Sequence, residues 1–213
     1  MQYCSAKDIA LIFKELIKHE AYFEYSNIWM DEIKHSKNST QISNTNKLIK
    51  FYEGCDGGKT GFTSEAGFCL TATAKRGNMR LISVVIGAEN SKERFNEVSS
   101  MFNEGFNNYS NKCVVDSKVP LDKKLKVKCG KINEIEVCAS ENFYVFSKRN
   151  VKENIELSYN FNEVKAPISK GDKVGFITIY KDGVEIGEVD ILSLEDVRKM
   201  NYFDYVKLII ENA

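Results

Sequence analysis

The sequence has 213 residues, with 30 Lys+Arg against 30 Asp+Glu and a formal net charge of zero. That balance excludes a charge-driven nucleic-acid binder, which needs a surplus of basic side chains to neutralise phosphates. At 43% hydrophobic and 28% charged the composition is globular, and the longest apolar run, Leu81–Ala88, is far short of the ~18 residues that a membrane-spanning helix needs.

In chain order, residues 5–18 read as an amphipathic helix. Ser5 is a good N-cap with Asp8 three places on, and Ile9, Ile12, Phe13, Leu16 and Ile17 share one face. Tyr22, Phe23, Tyr25, Ile28 and Trp29 form an aromatic cluster expected to pack. Residues 34–47 are polar and read as a loop. Three strands are expected at 57–63, 68–74 and 80–87, the last two joined by a turn at Arg76-Gly77-Asn78. The continuous apolar character of Leu81–Ile86 predicts burial on both faces. A helix follows from Ser91, the expected cap, to about Asn107, with Phe95, Val98, Phe102 and Phe106 inward.

After Cys113 the pattern changes to short strands: 125–129, 134–139, 142–147, 155–160, 173–180 and 184–191, the last pair linked by an Asp182-Gly183 turn. Regular strands without helices indicate a small β-sandwich or barrel. Residues 193–211 return to helical spacing through Leu194, Val197, Met200, Phe203, Val206, Ile209 and Ile210. The expected class is α+β, with three parts: 1–113, an all-β domain over 114–192, and a C-terminal amphipathic helix over 193–213.

Six scattered cysteines without a CxxC give no metal or redox spacing, and reduced, mostly buried thiols are expected. His19 and His35 have no partner pattern, so a histidine-based triad is not expected. No basic-plus-apolar leader stands at Met1, so no secretory signal is expected in this chain.

The chemistry-bearing stretch is Gly57-Gly58-Lys59-Thr60-Gly61-Phe62-Thr63-Ser64-Glu65-Ala66-Gly67. A strand edge presents backbone N–H and C=O groups to an extended peptide. The Lys59 ammonium adds positive potential, and Gly61 lets a substrate backbone approach closely. A bare Lys-Thr-Gly is short enough to recur by chance as an exposed strand end.

The longer run from Gly57 to Phe95 resembles the corresponding segment of the serine-type D-alanyl-D-alanine carboxypeptidases, the low-molecular-mass penicillin-binding proteins. Ser43-Asn44-Thr45-Asn46-Lys47-Leu48, the helix at 5–18 and the β-rich region 114–192 resemble that family too. The resemblance implies a transpeptidase-like antiparallel sheet with flanking helices, followed by the family's small all-β domain. It implies that Lys59 sets the site electrostatics and that Thr60 contacts a substrate or β-lactam carboxylate. It gives the Phe62 N–H to an oxyanion hole, with Thr63 beside it. Arg94, 35 residues past Lys59, matches the family's carboxylate-binding arginine. Arg80 reads as a strand-start residue. The implied partners are a peptidoglycan stem peptide ending in D-Ala-D-Ala and β-lactams, without metal or organic cofactor, in an extracytoplasmic setting.

Two of the family's motifs have no counterpart in place. No serine is followed by lysine three residues on, so SxxK is absent. Ser36-Lys37-Asn38, Ser140-Glu141-Asn142 and Ser158-Tyr159-Asn160 fit SxN but are read as chance matches. The chain is therefore expected to be part of such an enzyme, inactive alone because covalent catalysis needs the nucleophile. Loss of neighbouring strands is expected to leave 81–86 as an apolar edge. The alternative is a non-catalytic envelope module using the β-domain for protein or glycan contacts. For residues 201–213 two readings stay open: weak contact with a membrane surface, or docking on the protein.

Overall fold

The computed structural model describes residues 3–36 and 38–211. The chain forms two compact units, Met1–Ser110 and Asn111–Ala213.

The first unit runs α1 (Ala6–Leu16), α2 (Glu20–Ser26), β1 (Met30–Lys34), β2 (Ser39–Ser43), α3 (Leu48–Phe51), β3 (Cys55–Thr63), β4 (Gly67–Arg76), β5 (Met79–Ala88) and α4 (Ser91–Asn108). Ser5 opens α1 with the expected capping box: its hydroxyl accepts the Asp8 N–H at 3.2 Å, and the Asp8 carboxylate accepts the Ser5 N–H at 2.8 Å. β3, β4 and β5 form an antiparallel sheet in that order. β3 and β5 are therefore its edges. The core gathers Leu48, Leu70, Ala72, Ala74, Val85, Val98, Phe102 and Phe106. Small alanines in the central strand and apolar residues one helical turn apart on α4 let sheet and helix approach closely. Gly105 of α4 lies hard against Leu81, where a Cβ would stand 2.5 Å from Cδ1.

Three local expectations change. The polar stretch 34–47 is not a plain loop, because Ser39–Ser43 pairs with Met30–Lys34 as a hairpin. Both of its strands are exposed along their length, so no buried alternation marked them. Asn90, not Ser91, caps α4; its side chain accepts the N–H groups of Lys92 and Glu93 at 3.0 and 2.9 Å. β5 is not buried on both faces: Met79, Ser83 and Val85 are buried, but Ile86 is 40% exposed. An edge strand lacks the second neighbour that would have closed it in.

The second unit runs β6 (Tyr109–Val115), β7 (Leu125–Lys128), β8 (Glu134–Ile135), β9 (Val137–Ala139), β10 (Phe143–Lys148), β11 (Ile155–Phe161), β12 (Val164–Lys165), β13 (Lys173–Lys181), β14 (Val184–Ser193) and α5 (Tyr202–Glu211). Its largest sheet has the order β11-β13-β14-β9, beside smaller sheets β10-β6 and β12-β7-β8. Val127, Ile135, Val137, Ile177, Ile179, Val189 and Ile191 fill one shared core. The Asp182-Gly183 turn has φ of 51° and 81°, the paired left-handed geometry that suits a two-residue hairpin. Residues 194–200 are not helical as the spacing of Leu194, Val197 and Met200 suggested. Val197 bridges Ile168, Lys199 bridges Gly130, and Val197 is buried in the β core. The helix starts only at Tyr202, where Asn201 and Asp204 cap each other reciprocally.

All six cysteines are free thiols, but only Cys55 is buried; Cys4 and Cys113 are exposed. No helix among the described residues is long and apolar enough to cross a membrane.

Candidate active site

The Lys59-Thr60-Gly61 run lies in the middle of β3, with Lys59 opposite Thr71, Thr60 opposite Leu70 and Gly61 opposite Cys69. Among the described residues β3 pairs only with β4, so no strand occupies the other side of its backbone, where an extended ligand could add.

The approach to this strand is shaped by close packing at two glycines. A Cβ on Gly57 would stand 2.8 Å from the Tyr22 ring. Gly58 has φ +137°, and a Cβ there would stand 2.3 Å from the Thr71 carbonyl oxygen. No other residue fits such backbone. The Gly58 N–H instead donates to the Tyr22 hydroxyl at 2.8 Å. Asp56 ties the same stretch to β5 through a two-armed ion pair with Arg80, both contacts 2.7 Å. Arg80 also lies over the Phe23 ring at 4.5 Å. It is a structural tie, in line with its reading as a strand-start residue.

Lys59 is exposed, and its ammonium donates to the Thr60 carbonyl at 2.8 Å. It borders a recess of about 520 Å³ walled by Ile9, Phe13, Tyr22, Gly58 and Thr71. The wall is mostly apolar, and the exposed Lys59 ammonium stands at its rim.

Arg94 enters from the first turn of α4 and is only 8% exposed. One guanidinium nitrogen donates to the carbonyl oxygens of Gly61 at 3.2 Å and Cys69 at 3.4 Å, and the other to Ser91 Oγ at 3.3 Å. Its Nε is buried without a partner. The rings of Phe68 and Phe95 lie 5.5 and 5.0 Å from the guanidinium. Burial pulls its pKa below the ordinary value, yet a guanidinium keeps its charge. A positive charge thus stands directly behind Gly61.

Phe62 faces Phe68 across the ladder, ring centroids 4.5 Å apart, and is 61% exposed. Thr63 is apart from this group. Its hydroxyl accepts the Ala66 N–H at 3.0 Å and closes the β3–β4 turn. Thr60, Gly61 and Arg94 therefore come together, Lys59 opens onto the recess, and Thr63 serves the turn.

Thr45 was not singled out from the sequence. The Thr60 hydroxyl donates to Thr45 Oγ1 at 2.8 Å. Thr45 lies in the Ser43–Leu48 stretch, whose asparagines are the visible clue, since Asn side chains commonly pin loop backbone. The chance SxN matches serve structure. Asn142 accepts from the Ser117 backbone and hydroxyl, and Asn160 donates to Thr178. The match at 36–38 includes Lys37, which lies outside the described residues. Among the described residues no three His, Cys, Asp or Glu side chains cluster as metal ligands.

Residues 1–90 match the family described as D-alanyl-D-alanine carboxypeptidase, and residues 109–199 match the penicillin-binding protein 5 C-terminal domain. The D-alanyl-D-alanine carboxypeptidase DacF of Bacillus subtilis is 37% identical over 211 residues, covering 96% of this chain and 53% of that protein. DacC of Escherichia coli is 32% identical over 208 residues, covering 96% and 51%. The crystal structure of penicillin-binding protein 5 from Haemophilus influenzae superposes with a TM-score of 0.63 at 27% identity, over 93% of this chain and 58% of that one. The chain spans about half the length of the curated relatives it matches.

Proposed function

We propose, from a chain whose residues 1–90 belong to the D-alanyl-D-alanine carboxypeptidase family and whose residues 109–199 belong to the penicillin-binding protein 5 C-terminal domain family, that it supplies the peptide-binding half of a carboxypeptidase acting on peptidoglycan stem peptides. The observation that carries this reading is the open β3 edge with Thr60 beside it and the buried Arg94 charge behind Gly61.

In this reading the peptide lies antiparallel to β3, held by backbone hydrogen bonds. Its terminal carboxylate meets the Thr60 hydroxyl in the field of Arg94. The Lys59 ammonium lowers the energy of negative charge that develops at the scissile carbonyl, and the Phe62 N–H gives one oxyanion donor. The second donor and the attacking serine come from residues beyond these 213, because no SxxK serine is among them. That serine would add to the penultimate D-Ala carbonyl, expel the terminal D-Ala, and leave an acyl-enzyme that water hydrolyses. A β-lactam would acylate the same serine. The setting is extracytoplasmic, and the exposed Phe203 and Ile210 on α5 suit shallow contact with a membrane surface. The side chain of Ile209 lies outside the described residues.

The test is complementation. This chain is coexpressed with the N-terminal half of the Bacillus subtilis relative, and the pair is treated with a fluorescent β-lactam. The reading expects label on the N-terminal half only when this chain is present, and loss of label with Lys59→Ala. A folded pair that stays unlabelled would refute it.

A further inference from the structure

This inference rests on the reading above and concerns Thr45. Two asparagines fix its loop on either side. The Asn44 amide donates to the carbonyls of Ser26 and Ile28, both at 3.1 Å, while its Oδ1 accepts the Asn46 N–H at 2.9 Å. Asn46 is wholly buried. Its amide donates to the Gly57 carbonyl at 3.3 Å, and its Oδ1 accepts the Leu48 N–H at 3.2 Å. The loop backbone is thus held without the Thr45 side chain, whose hydroxyl is free to serve Thr60 at 2.8 Å.

A hydroxyl has one proton to donate and two lone pairs to accept with. Two hydroxyls at this distance can exchange roles by rotating their C–O bonds. When Thr45 donates, Thr60 Oγ1 accepts and its own proton turns outward. A hydroxyl that is accepting is also a stronger donor. We propose that Thr45 is a positioning residue for the carboxylate end of the peptide: it holds Thr60 Oγ1 and aims the Thr60 proton at the anion. The Asn44–Asn46 frame makes that aim rigid, so the ligand is not charged the entropy of ordering a loop.

The test titrates the full chain, labelled with nitrogen-15, with N-acetyl-D-alanyl-D-alanine and with the same peptide ending in a carboxamide. Amide shifts around Thr60 and Gly61 report binding. The wild type is expected to bind the carboxylate form preferentially. Thr45→Val, close in shape but without a hydroxyl, is expected to bind it up to about tenfold more weakly, the usual weight of the one neutral hydrogen bond that it removes. Thr45→Ser is expected to restore binding, which a purely steric role would not predict. Unchanged amide shifts elsewhere verify that each variant is folded. Equal binding by wild type and Thr45→Val would overturn the inference and leave the proposed function standing. A wild type that does not distinguish carboxylate from carboxamide would remove the proposed function, and this inference with it.

Discussion

The Arg94 guanidinium donates to the Gly61 carbonyl oxygen at 3.2 Å, across 33 positions of sequence. This one contact joins α4 to the strand that carries the Lys-Thr-Gly run. It also explains a charge that the helix dipole disfavours, since a cation in a first turn faces the positive end of its own helix. The carbonyls of Gly61 and Cys69 make up that deficit. Arg94→Ala should leave both with fewer partners and lower unfolding stability by about 1–3 kcal/mol. Urea denaturation of the full chain checks this, and an unchanged midpoint would contradict it.

Gly58 should tolerate no side chain. Gly58→Ala places a methyl group 2.3 Å from the Thr71 carbonyl oxygen at φ +137°. The expected cost is about 1–3 kcal/mol or more, from the strained backbone together with disturbed β3–β4 pairing. Thermal denaturation reads the loss. Gly77→Ala is the contrasting variant, because a Cβ there meets nothing within 4 Å, although its φ of +56° still carries some strain. A smaller effect at position 58 than at 77 would be inconsistent with this packing.

The chain alone should take no covalent label from a fluorescent β-lactam, because it holds no SxxK serine. Denaturing electrophoresis of the purified protein gives the answer. A labelled band would show that some other nucleophile is in play.

The β5 edge should make the purified chain self-associate. It carries an apolar run with Ile86 40% exposed, and the one charged residue within the strand, Arg80, is engaged by Asp56. Free edges without charges or prolines invite strand pairing. Light scattering should detect oligomers, and Ile86→Lys should reduce them. A monodisperse wild-type monomer would count against this expectation.

Burial pushes the Cys55 thiol up to about 11 from an ordinary 9.0. The fold thus favours the neutral thiol. The linked stability is complete below about pH 9 and declines as pH rises from there toward 11. Thiol-specific reagents at pH 8 should modify the exposed Cys4 and Cys113 quickly and Cys55 only after unfolding. Mass mapping of the modified peptides decides it, and rapid native labelling of Cys55 would be contrary to its burial.

Local pattern alone established much of this protein. Ser5 and Asp8, with apolar residues at helical spacing, specify α1; Asp182-Gly183 specifies the last hairpin; and the Gly57–Gly67 block marks β3 as a strand whose backbone needs glycine. Each is legible because its cause lies within a few residues: a cap, a turn conformation, a backbone that needs glycine. Where one residue served two plausible patterns, only tertiary structure decided. Val197 has helical spacing, but the β core buries it. Residues 39–43 look like a loop until they pair with 30–34. The site divides in the same way. Lys59, Thr60 and Arg94 are candidates that the family resemblance proposes, whereas Thr45 owes its place to two asparagines that reach the backbone of α2 and β3. Hydrogen bonds between distant segments leave no periodic trace in a sequence, and so the partner of Thr60 emerged only once the chain had folded.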